Sequence, residues 1–82
     1  MIRVLIADDH ALVRTGFRLL LDEPADIEVV AEADSGEKAY ALYAEVSPDV
    51  VMIDLAMPGI GGIEAIKRII ARDPDAKILA LS

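Results

Sequence analysis

The chain has 82 residues and a formal net charge of −7, enough for one small domain and the wrong sign for a nucleic-acid surface. It has no cysteine, which excludes disulfides and thiolate metal centres, and its single histidine excludes a cluster of imidazole ligands. Hydrophobic residues make up 55% and recur periodically, which argues for a folded chain; no apolar run is long enough to cross a bilayer and Asp8 arrives too early for a signal peptide, so a cytoplasmic protein that touches neither membrane nor DNA is expected.

Val4-Leu5-Ile6-Ala7 is a continuous apolar run that ends in Asp8-Asp9. Such a run suits a central parallel strand covered on both faces. A helix is expected from about His10 to Asp22, with Asp9 as its cap and Pro24 just beyond its end. Val13, Phe17, Leu20 and Leu21 share one face of it, and Leu12 and Leu19 widen the stripe. Ile27 to Ala31 reads as a second, more exposed strand. Asp34-Ser35-Gly36-Glu37 has the capping-box pattern, with Asp34 as cap and Glu37 reaching back. The helix behind it carries Ala39, Leu42, Tyr43 and Val46 at helical spacing and stops at Pro48.

Val50-Val51-Met52-Ile53 is the third and most apolar strand, and it ends at Asp54. A loop rich in Pro and Gly follows, Met57-Pro58-Gly59-Ile60-Gly61-Gly62, then a helix to about Arg72 that is expected to bury Ile63, Ile66, Ile69 and Ile70. Pro74 closes that unit, and Lys77 to Leu81 forms a fourth strand before Ser82.

Strands alternating with helices imply right-handed crossovers and a parallel sheet. In such sheets ligands sit outside the carboxyl ends of the strands. Asp8, Asp9, Asp54 and Ser82 all fall at those ends. Gathered carboxylates repel one another and are best tolerated around a divalent cation, which points to Mg²⁺ and phosphate chemistry. Alone, Asp8-Asp9 would be first-turn acids favouring a helix N-terminus, and Asp54 would simply end a strand. His10 reads as a partly exposed residue opening the first helix, without a catalytic role. Pro58-Gly59 and Gly61-Gly62 match neither familiar glycine-rich nucleotide signature. They read as turn residues that let the backbone pass close to the site.

Three pieces in order resemble the receiver domain of bacterial two-component response regulators: Val4 to His10, Asp54-Leu55-Ala56-Met57-Pro58-Gly59, and Ile78 to Ser82. Positions 8 to 16 resemble the subfamily with a LuxR-type output domain. The resemblance covers residues 1–82 as one receiver domain. It implies a flavodoxin-like (CheY-like) α/β sheet in the order 2-1-3-4, without the last helix, strand and helix of a full receiver. It also implies that Asp54 accepts a phosphoryl group from a sensor histidine kinase. Asp9, Asp54 and the carbonyl of Ala56 would bind Mg²⁺ directly, Asp8 would act through water, and Ser82 would hydrogen-bond the phosphoryl group. Gly61 stands where the family usually has an aspartate cap.

The family's phosphoryl-pairing lysine lies on a fifth strand, and Lys77 is at the wrong end of the fourth to replace it. Weak or absent phosphotransfer is therefore expected of these residues alone. An exposed fourth-strand edge would favour self-association or exchange of elements between chains. An interaction fragment without chemistry is one rival reading. A phosphatase of the haloacid-dehalogenase type is another, but it needs an acid where Ala56 stands. The resemblance implies a signalling switch and not an enzyme.

Overall fold

β-Branched and aliphatic runs form each strand, and each is flanked by a turn or a helix. The computed structural model describes residues 1–23 and 26–81. The elements in order are β1 (Ile2–Ala7), α1 (Ala11–Asp22), β2 (Ile27–Ala33), α2 (Gly36–Val46), β3 (Val50–Asp54), α3 (Gly61–Arg72) and β4 (Ile78–Leu81). The sheet is parallel throughout in the order β2-β1-β3-β4, as expected for a flavodoxin-like arrangement. The positions of Pro24 and Ser82 lie outside the described residues.

Period-two alternation divides the core between the two faces of the sheet. Leu5, Ala7, Val51 and Ile53 face α2 and α3, where they pack with Ala39, Tyr43, Ala65 and Ile69. Val4, Ile6 and Met52 face α1, where Phe17 and Leu21 cover them in part. Both faces of β1 and β3 are therefore covered, as their unbroken apolar runs require. Register is set between these two strands by Val4 opposite Val50 through Ala7 opposite Ile53. This brings the residues just after Ala7 and Ile53 to one rim.

The helices depart from expectation in three ways. First, α1 buries no residue completely: Leu20 is 69% and Val13 40% exposed, and only Phe17 and Leu21 pack against the sheet. Second, the buried stripe of α3 is Gly62, Ala65 and Ile69, with Ile66 half-buried, while Ile63 and Ile70 are exposed. The small residues Gly62 and Ala65 let the helix lie close to the sheet with Ile69 beneath it, which leaves Ile63 and Ile70 on the outer side. Third, the caps differ. His10, not Asp9, precedes α1 and makes no side-chain cap. Ser35, not Asp34, caps α2, its Oγ accepting from the Lys38 N–H at 3.2 Å. Asp34 instead pairs with the Lys38 ammonium at 3.3 Å.

Candidate functional site

The rim formed by the carboxyl ends of β1 and β3 gathers the acids. One possible ligand atom from each of Asp8, Asp9, His10 and Asp54 lies within 4.8 Å of the others. Asp8 directly follows β1, and its N–H is tied to the Ala33 carbonyl at the end of β2 at 2.9 Å. It is the buried charged residue among those described, at 4% exposure. Burying a carboxylate is costly unless it is hydrogen-bonded. Here Oδ1 accepts from the His10 N–H at 2.8 Å and lies 3.0 Å from the His10 ring Nδ1. The same nitrogen is 3.1 Å from Asp9 Oδ1.

These contacts hold the His10 ring above its usual pKa of 6.5, chiefly through the hydrogen bond to Asp8 and next through the charge of Asp9. Sequence patterns alone leave His10 out of the site. Its only signal is its place directly after the acidic pair, because the ring joins the cluster through Nδ1, at 3.0 Å from Asp8 and 3.1 Å from Asp9. Arg14 is a second addition. Its guanidinium donates to the backbone carbonyl of Asp8 and also lies 3.6 Å from Glu32, which Arg18 approaches to 3.2 Å. Arg14 thus braces the tip of β1 from α1 and leaves the carboxylates themselves uncompensated by arginine.

Asp54 closes β3, and its Oδ1 accepts from the Ala56 N–H at 3.0 Å. Among the described residues this is the hydrogen bond to its carboxylate, so Oδ2 is left open. The chain then turns sharply. Gly59 and Gly61 adopt φ of +77° and +78°, a left-handed conformation that suits glycine. Gly62 lies so close beneath the site that a side chain there would collide with the Asp54 carbonyl. The expectation that this loop brings backbone close to the acceptor is met in these contacts.

Asp8, His10, Asp54 and Ala56 share one open hollow with Val13, Phe17, Ala80 and Leu81. The structure thus brings Asp8, Asp9, Asp54 and Ala56 to one place. Ser82 lies outside the described residues, and Leu81 pairs with Asp54. Lys77 precedes β4 at the other rim, where its carbonyl accepts from Val51. The donor set consists of carboxylate oxygens, with a single imidazole nitrogen beside them. Such hard oxygens suit Mg²⁺ and fit poorly with soft metals. No described helix is long and apolar enough to cross a membrane.

A family profile described as "Response regulator receiver domain" matches residues 4–82. The chain is 48% identical over 82 residues to the response regulator GacA of Pseudomonas viridiflava, covering 100% of this chain and 38% of that protein. It is likewise 48% identical over 82 residues to the transcriptional regulatory protein LiaR of Bacillus subtilis, covering 100% of this chain and 39% of that protein. A crystal structure of a LuxR-family two-component response regulator from Aurantimonas sp. superposes with a TM-score of 0.93 at 45% identity. That match covers 98% of this chain and 57% of the other. The chain therefore spans well under half the length of these curated relatives. Sequence, fold and the placement of the acids agree, and the chain belongs to the response regulator receiver domain family.

Proposed function

We propose that the chain acts in the cytoplasm as the phosphoacceptor of a two-component system. Asp54 would take a phosphoryl group from a phosphohistidine on a sensor histidine kinase and so control transcription through an output domain. The observation that carries this reading is the convergence of Asp8, Asp9 and Asp54 within 4.8 Å at the carboxyl rim. Asp54 Oδ2 is the free nucleophile, since Oδ1 is held by the Ala56 N–H. The new bond joins that oxygen to phosphorus as the phosphorus–nitrogen bond of the phosphohistidine breaks. The departing imidazole keeps the electron pair and takes a proton from water.

Asp9, Asp54 and the Ala56 carbonyl would hold Mg²⁺ directly, and Asp8 through water. When bound, the ion supplies the positive charge that offsets the carboxylates and the incoming phosphoryl oxygens. The chain's own part is positioning. The braced tip of β1 presents Asp9, and the glycine-rich turn keeps Asp54 and Ala56 at the same rim. Ser82 would hydrogen-bond the phosphoryl group. The phosphatase reading lacks its acid at Ala56. The comparisons support neither it nor a fragment without chemistry.

The test is incubation with acetyl phosphate and Mg²⁺, read by intact mass. The wild-type chain gains one phosphoryl group and Asp54→Asn gains none. Equal labelling of both proteins would remove Asp54 from its role.

A further inference from the structure

The turn that carries the acceptor is held from outside by the first turn of α2. Glu37 does not reach back to its own helix start, as the capping-box pattern predicts. Its Oε1 accepts from the Ile60 N–H at 3.3 Å, across 23 positions of sequence. The carboxylate also crowds Gly59, where a Cβ would run into it. One residue earlier, a Cβ on Gly36 would come within 2.7 Å of the Gly61 carbonyl oxygen and 2.6 Å of the Ile60 side chain. Gly36 and Glu37 therefore grip residues 59 to 61 together, and the next residue, Gly62, rests on Asp54. The grip also meets a need of α3. Ile60 stands at the N-cap of that helix and offers no side-chain cap of its own, so a carboxylate from α2 takes a free N–H group there and faces the positive end.

We propose that Glu37 is a positioning residue for the acceptor site: it fixes the far end of the loop whose near end holds Asp54 and Ala56. This deepens the phosphoacceptor reading and rests on it for the link to Mg²⁺, though not for the grip itself. The two ends are joined by only a few residues, and the far end is seated against the Asp54 backbone. Releasing Ile60 from Glu37 therefore loosens the segment that carries the Ala56 carbonyl.

The test compares Glu37→Ala, Glu37→Gln and Glu45→Ala, the last an exposed position in the final turn of α2, in the full chain. Two readouts are followed, amide hydrogen exchange at Ile60 and Ala56 without metal, and Mg²⁺ affinity by titration. Glu37→Ala should speed both amides and weaken Mg²⁺ binding by roughly fivefold, the factor one ordinary hydrogen bond represents. Glu37→Gln, which keeps the acceptor oxygen, should restore most of both, and Glu45→Ala should change neither. A cap that only stabilised α3 would lower the melting temperature and leave Mg²⁺ affinity untouched, which would overturn the proposal. Unchanged exchange at Ile60 in Glu37→Ala would overturn it too. If the wild-type chain binds no Mg²⁺, the phosphoacceptor reading fails. The grip is then judged by the exchange at Ile60 and Ala56, with wild-type rates in Glu37→Ala refuting it.

Discussion

Three glycines allow the packing beneath the acceptor to be measured against internal controls. A Cβ at Gly62 would collide with the Asp54 carbonyl oxygen and lie 2.6 Å from Leu55 Cα and 2.9 Å from the Asp54 carbonyl carbon. All three obstacles are main chain of the acceptor segment, so no side-chain rotation relieves them. Forcing a methyl group into such a place costs about 1–3 kcal/mol, here toward the upper end. Alanine's better helix propensity offsets about 1 kcal/mol of that. Gly62→Ala should therefore lose about 1–2 kcal/mol, which at ~4–8 °C per kcal/mol for a domain of this size is a Tm fall of about 4–16 °C. Gly61→Ala meets no atom within 4 Å but must hold φ near +78°, a strain of about 1–2 kcal/mol. Gly16→Ala, inside α1 and also with nothing within 4 Å, should gain about 0.5–1 kcal/mol. Asparagine at 61 should recover part of the alanine loss because it tolerates the left-handed region, whereas serine at 62 should not improve on alanine. Thermal and urea unfolding followed by circular dichroism read all of these. A Gly62→Ala protein as stable as wild type would refute the close approach of α3 to Asp54.

Truncating Ile69, which is fully buried between α3 and the sheet, to alanine should cost about 2–5 kcal/mol in urea unfolding. The Tyr43 hydroxyl donates to Asp73 at 2.6 Å. Burial first, and then this hydrogen bond, push its pKa up to about 12 from 10.0. The folded state therefore keeps a proton that the unfolded chain gives up near 10. This stabilisation is fully present below pH 10 and is lost as pH rises through 12. Tyr43→Phe should flatten that part of the urea midpoint against pH, and an unchanged profile would contradict the assignment.

The strands and the acidic rim were legible because each is carried by local, redundant signals. Four apolar residues before Asp8 and four before Asp54 mark central strands. The parallel topology rule then places the residues at the carboxyl end of each strand along one edge. Choices made by tertiary neighbours were not legible. The capping-box pattern at positions 34 to 37 is satisfied locally by Ser35 alone, because Glu37 finds a better use at Ile60. Nothing between those two positions announces that pairing. His10 enters the cluster through a ring orientation that no spacing encodes. The apolar stripes of α1 and α3 overstate burial, since a helix pattern gives a face but not what lies against it. Gly62 and Ala65 decide the seat of α3 by being small, a signal that hydrophobic periodicity does not weigh.

The central claim is that carboxylates from β1 and β3 hold one hard cation beside the acceptor. Calorimetric titration of the wild-type chain with Mg²⁺, alongside Asp9→Ala and Asp54→Asn, tests it most directly. A single saturable site in wild type, weakened about tenfold or more in each variant, or roughly 1.4 kcal/mol, is the expected result. Equal affinity in Asp9→Ala and wild type, or no saturable binding at all, would contradict it.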